Sequence, residues 1–126
     1  MLVLDSGGLS GLSHRTRRAR AMIEALRQES LWPPVVPTVV LAESTSGSPR
    51  TDTNVNRFLK MCDVEATLSE ATARRAGRLR AQARRGSAVD ALVVASAEPS
   101  ATVLTSDPDD LRALAAYADG VVIEVV

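Results

Sequence analysis

Short β-rich apolar runs alternating with helical stretches constrain this chain more than any other feature of its 126 residues. Leu2 to Leu4, Val35 and Val36, Val64 to Thr67, Thr102 to Leu104 and Val121 to Val126 read as strands. Strands separated by helices form a mostly parallel sheet covered on both faces. The expected fold class is α/β, one domain over residues 1–126, with a central sheet of about five strands. Two ordinary domains do not fit in this length. Ligands of such sheets bind outside the carboxyl ends of the strands, so function is expected in the segments that follow them.

After the first strand, Ser6 to Gly8 reads as a turn. A helix is then expected from Ser13, with Ala19, Met22, Ile23 and Leu26 on its apolar face. Pro37 and Thr38 open an apolar helix through Glu43, residues 44–53 form a loop, and Val55 to Cys62 mark a short helix. Ser69 is a suitable N-cap for a helix through Arg85 that Gly86 ends. The segment AVDALVVASA after Ser87 is an unusually apolar helix, and Ser106 or Asp107 caps a last one containing Leu111 and Leu114. Trp32, Phe58 and Tyr117 are the only aromatic residues. The core must therefore be aliphatic, and a base-stacking surface has too few rings to exist.

The single cysteine, Cys62, excludes an intramolecular disulfide and a multi-cysteine zinc site, and it points to a reducing compartment. The first residues lack a basic region, and no apolar run approaches the ~20 residues of a spanning helix. A soluble, cytoplasmic protein without membrane association is expected. The formal net charge of zero hides two opposed parts. Residues 1–85 hold 14 basic and 8 acidic side chains, whereas residues 86–126 hold Arg112 against 7 acids.

Four acids stand in unusual places. Asp5 and Asp107 follow predicted strands, and Glu43 and Asp90 sit in helices that are otherwise apolar, in VPTVVLAES and SAVDALVVASA. A buried carboxylate needs a cation, a hydrogen-bond network or an opening to solvent, and no Lys or Arg lies one helical turn from Glu43 or Asp90. A hard divalent cation, Mg²⁺ or Mn²⁺, is the simplest shared partner, since oxygen ligands suit it and His and Cys are too scarce for zinc. Each acid also has a structural explanation. Asp5 can cap the turn after its strand, Glu43 can sit on an exposed helix edge, and Asp107 can cap the last helix ahead of Pro108 at its first position. Asp90, alone in an apolar helix, is the hardest to explain this way.

The order of these acids, carried by LVLDSGGL, VVLAES, AVDALVVASA and VLTSDPDDL, resembles the PIN-domain ribonucleases, in particular the VapC toxins of type II toxin–antitoxin (VapBC) pairs. The resemblance spans essentially the whole chain, including NVNRFLK and the closing strand. It implies a PIN-like domain whose catalytic, metal-binding acids fall on Asp5, Glu43, Asp90 and Asp107, with Asp109 and Asp110 close to the last. Ser6 and Thr105 or Ser106 fall where the family carries hydroxyls, whereas Gly7 and Gly8 depart from its more usual residues. The implied activity is Mg²⁺-dependent cleavage of RNA phosphodiester bonds, leaving 5′-phosphate and 3′-hydroxyl ends. The implied partners are an RNA substrate, a VapB-like antitoxin and a second copy of the chain in a homodimer.

Granted such an activity, arginine-rich faces acquire a role in holding a polyanion. Residues 69–85 carry six arginines, Arg74, Arg75, Arg78, Arg80, Arg84 and Arg85, and the first helix adds Arg15, Arg17, Arg18 and Arg20. Solvated faces are the competing explanation of both. His14 reads as a surface residue, Cys62 as core and Trp32 as packing. A haloacid-dehalogenase phosphatase needs a second Asp where Gly7 stands, a receiver domain needs a late lysine, and DSGGLSG lacks the GxGxxG spacing of a dinucleotide site. The remaining alternative is a catalytically silent domain of the same fold that binds protein or RNA.

Overall fold

Leu2, Val3 and Leu4 are wholly buried because β1 (Leu2–Leu4) is the middle strand of the sheet. The computed structural model describes residues 1–126. With β2 (Val35–Pro37), β3 (Asp63–Glu65), β4 (Ala101–Thr105) and β5 (Val121–Val125), β1 forms one sheet in the order β3-β2-β1-β4-β5. Every pair of neighbours is parallel. The flanking helices are α1 (Ser6–Ser13), α2 (Arg17–Gln28), α3 (Thr38–Ser44), α4 (Thr53–Leu59), α5 (Glu70–Ala83), α6 (Ala88–Ala97) and α7 (Pro108–Ala115). The main core holds 21 residues, all Leu, Val or Ala except Phe58, so the aliphatic core expected from the scarcity of rings is the one observed. Trp32 packs edge-on to Phe58, with ring centroids 6.0 Å apart, and Arg27 lies over its face. Cys62 is partly buried against the core, and burial pushes its thiol up to about 12. No helix is long and apolar enough to cross a membrane.

Several boundaries differ from the sequence reading; the short helix expected over Val55 to Cys62, for one, runs Thr53–Leu59 and stops before Cys62. Ser6 to Gly8 is not a turn but the first turn of α1, since the Asp5 side chain caps it by accepting from the Gly8 amide at 2.7 Å. Glycine is a poor helix former, but Gly7 and Gly8 lie so close to Ser106 and to the Leu104 carbonyl that a β-carbon would overlap them. Close approach to β4 outweighs propensity here. The expected helix from Ser13 instead begins at Arg17, because His14 is extended and Thr16 caps α2 by accepting from Ala19 N. At the far end α5 stops at Ala83, with Arg84 in the left-handed region. The third strand is shorter and earlier, Asp63–Glu65, and exposed at the sheet edge.

Arg75 belongs to the fold rather than to a free basic face. Its Nε donates to Glu98 Oε1 at 2.7 Å and its Nη2 to Oε2 at 2.8 Å. Nη2 also reaches the Tyr117 carbonyl, and the Asp119 amide donates to Glu98 Oε2. This fork joins α5, the end of α6 and the segment leading into β5. The Arg75 hydrogen bonds hold the Glu98 carboxyl below the usual range, with the Asp119 amide adding to the effect. A depressed carboxylate stabilises the fold above its unfolded value of ~4.3, and that contribution disappears as pH falls through the folded value. Glu98→Gln should therefore cost about 1 kcal/mol at pH ~7 and much less in acid, where the native Glu98 is itself protonated. Thermal denaturation of both proteins across that range checks this; an equal cost at both ends would contradict it.

Candidate functional site

The strand order brings Asp5 and Thr105 together. From β1 the chain runs outward through β2 and β3, then crosses back to place β4 on the other side of β1. The crevice at such a reversal, beyond the carboxyl ends of the two strands, is where open parallel sheets bind ligands. The register pairs Leu4 with Leu104, so the next residues, Asp5 and Thr105, are neighbours across the crevice. Thr105 is fully buried and Asp5 nearly so. The Thr105 hydroxyl donates to Asp5 Oδ2 at 2.5 Å and accepts from the Asp107 amide at 3.0 Å. Asp5 Oδ1 is held by the Gly8 amide. Thr105 thus fixes the Asp5 carboxylate and the turn that carries Asp107.

Glu43, Asp90 and Asp107 reach the same crevice from three other segments. A cleft of about 310 Å³ is lined by Asp5, Ser6, Gly7, Glu43, Ser87, Asp90, Thr105, Ser106, Asp107 and Asp110, with no hydrophobic residue among them. All four acids singled out in the sequence therefore share one wall-to-wall polar cleft. Two of them differ in their local setting from what the sequence implied. Asp90 has a structural task as well: it stands third in α6 and forms a capping box with Ser87, each accepting from the other's amide. Asp107 occupies the cap position of α7 but makes no capping hydrogen bond with its side chain, so the cap that explained it in the sequence is absent. Two lining residues were missed or left ambiguous. Ser87 was legible as the first member of S-x-x-D. Asp110, not Asp109, lines the cleft, and its carboxylate pairs with Arg85 Nε at 2.9 Å.

Burial and neighbouring charge make the ionised Asp5 costly. Burial pushes the Asp5 carboxyl up from the ordinary range against the opposing hydrogen bonds from Thr105 and Gly8, and the nearby charges of Asp90 and Glu43 raise it further. The three ion pairs of the structure are Arg74–Glu70, Arg75–Glu98 and Arg85–Asp110. None neutralises Asp5, Glu43, Asp90 or Asp107. A divalent cation would relieve that repulsion, and the donor set of carboxylates and hydroxyls has the chemistry that Mg²⁺ or Mn²⁺ takes. No three His, Cys, Asp or Glu side chains converge into a ready-made ligand set. That spacing suits a hydrated ion held by one or two carboxylates directly rather than an all-protein cage.

Two comparisons bear on this geometry. Over 99% of its length the chain superposes on 98% of a chain of VapBC2 from Rickettsia felis, a complex solved bound to a DNA fragment from its promoter, with a TM-score of 0.76 at 15% identity. It also matches FitAcB from Neisseria gonorrhoeae, covering 97% of this chain and 96% of that one, with a TM-score of 0.66 at 18% identity. The PIN-like α/β fold is the observed one. At these identities the likeness is one of fold. No protein-family profile matches the sequence and no curated protein matches it significantly. The PIN-like fold thus rests on the sheet order and helix placement, and the cleft on this chain's own residues.

Proposed function

We propose that the chain is a metal-dependent endoribonuclease of the VapC type, a toxin kept silent by a cognate antitoxin. The observation that carries this reading is the cleft at the β1/β4 reversal, lined by four carboxylates that lack a cationic partner and by no apolar residue. Asp5, Glu43, Asp90 and Asp107 would hold Mg²⁺ or Mn²⁺, one or two of them directly and the others through the waters the ion keeps. When bound, such an ion lowers the pKa of an attacking water and offsets charge on the phosphate and the leaving 3′ oxygen. The remaining work falls to the chain. Thr105 and the Gly8 amide orient Asp5, and the capping box fixes the backbone that carries Asp90. Ser6 and Ser106, at the cleft wall, supply hydroxyls that can donate to phosphate oxygens. Two neighbours of like fold are complexes, which supports an antitoxin partner; a homodimer and a cytoplasmic site of action belong to the same reading.

Metal binding is testable without any substrate. A ligand that binds only the folded chain stabilises it by RT ln(1 + [L]/Kd), so Mn²⁺ at about 100 times its Kd should raise stability by about 2.7 kcal/mol. For wild type this is a Tm rise of roughly 10 °C, and Asp5→Asn should remove most of it while keeping an N-cap side chain. An identical Tm with Mn²⁺ and with chelator would count against a metal site and favour the catalytically silent reading.

A further inference from the structure

A second polar basin lies next to the acidic cleft. It measures about 430 Å³ and is lined by Gly77, Arg80, Ala81, Arg84, Arg85 and Gly86, from the C-terminal half of α5 and the three residues that follow it. It is continuous with the cleft in sequence and in contacts: Gly86 leads directly into Ser87 of the capping box, and Arg85 pairs with Asp110 of the cleft wall. Of the six arginines on this segment, Arg74, Arg75 and Arg85 are committed to Glu70, Glu98 and Asp110. Arg78, Arg80 and Arg84 have no carboxylate partner in an ion pair; of these only Arg80 and Arg84 line the basin, and Arg80 Nε makes only a long 3.4 Å bond to the Gly86 carbonyl.

The backbone at this corner carries an independent signal. Helices commonly end on a left-handed residue, which is usually glycine because a β-carbon is disfavoured there. In α5 that position is Arg84, with φ 54° and ψ 30°, while glycine is kept for Gly86 two residues later, at φ 88°. The negative end of the helix dipole accounts for basic residues near this terminus. It does not account for an arginine on the one residue where glycine would serve the fold better. Ser30, just after α2, is left-handed too, at φ 60°, so the conformation gains meaning at Arg84 from the basin that this side chain lines with Arg80.

We propose that Arg80 and Arg84 form a phosphate subsite that holds the RNA backbone on its way into the acidic cleft. The inference rests on the ribonuclease reading above. A polyanion entering a cleft of uncompensated carboxylates needs cations at its border, and the guanidinium fork suits phosphate oxygens. An acidic protein segment could use the same cations, but it would gain nothing from the adjoining metal-type cleft, whereas an RNA strand uses both at once.

The test measures affinity and turnover separately. Fluorescence anisotropy with a short labelled single-stranded RNA, in chelator and at several salt concentrations, reports binding without cleavage. Arg80→Gln and Arg84→Gln should each weaken binding about 5- to 10-fold and reduce the slope of log K against log salt by about 0.7. In Mn²⁺ each should raise KM by a similar factor with kcat within about twofold. Arg84→Lys should restore the salt slope but not the full affinity. Arg84→Gly should raise Tm by roughly 2–4 °C while weakening RNA binding, a pairing of effects that a purely structural arginine would not give. Unchanged RNA affinity and KM in both Gln variants, or a loss confined to binding of a protein partner, would overturn the subsite. Normal RNA binding with no cleavage by wild type would instead count against the ribonuclease reading alone.

Discussion

Asp90→Asn should lower metal-dependent RNA cleavage by about 100- to 1000-fold and leave the fold nearly untouched. The two halves of that expectation come from different atoms. Asp90 lines the cleft with Asp5, Glu43 and Asp107, and its charge is one of those that raise the Asp5 carboxyl, so losing it removes ligand charge from the proposed metal site. The same side chain accepts from the Ser87 amide at 3.1 Å, and an asparagine oxygen still accepts there, though less strongly than a carboxylate, so the capping box survives and Tm should move by no more than roughly 2 °C. Asp90→Ala makes a useful contrast, because it loses the charge and the box together and should cost about 1 kcal/mol in addition. Cleavage assays with circular dichroism melts on the same preparations check both; undiminished cleavage by Asp90→Asn would remove Asp90 from the site.

Gly8→Ala should destabilise the protein by about 3 kcal/mol, at the upper end for overpacking, which is a Tm loss of roughly 10 °C. A methyl group at Gly8 would overlap the Leu104 carbonyl, which is β4 backbone and cannot rotate aside. Separating α1 from β4 would also disturb the Gly8 amide that holds Asp5 and the Thr105 hydroxyl on its other oxygen. Activity should therefore fall along with stability. Gly77→Ala supplies the opposite sign: Gly77 lies inside α5, its added β-carbon meets nothing within 4 Å, and relief of glycine entropy should stabilise by about 0.5–1 kcal/mol. Thermal or denaturant unfolding of the two variants decides it, and similar stabilities for both would contradict the close-approach explanation.

The contrast between those glycines shows where a sequence can and cannot be read. The five-stranded parallel sheet was legible because short apolar runs and amphipathic stretches alternate along the chain, a pattern set by burial. The four acids were legible because carboxylates in apolar helices are anomalies, and the structure does bring Asp5, Glu43, Asp90 and Asp107 to one cleft. Their roles there remain part of the proposal. Gly7 and Gly8 were misread as a turn because glycine's intrinsic preference is local, whereas the contact that demands glycine comes from Leu104 and Ser106, nearly a hundred residues away in sequence. The arginines were misjudged for a related reason. Six in one segment look alike in sequence, yet Arg75 is tied to Glu98, Arg85 to Asp110 and Arg84 to a left-handed backbone. Asp90 errs in the other direction: its capping partner Ser87 stands three residues before it and was readable from sequence alone.

Incubating the purified chain with total RNA in Mn²⁺ or in chelator, with Asp90→Asn alongside, and sequencing the fragment ends tests the central claim most directly. Internal cleavage by wild type only with metal, fragments carrying 5′-phosphate ends, and little or no cleavage by Asp90→Asn are expected. Cleavage that persists in chelator, or an absence of cleavage by wild type in Mg²⁺ and Mn²⁺ alike, would contradict that claim.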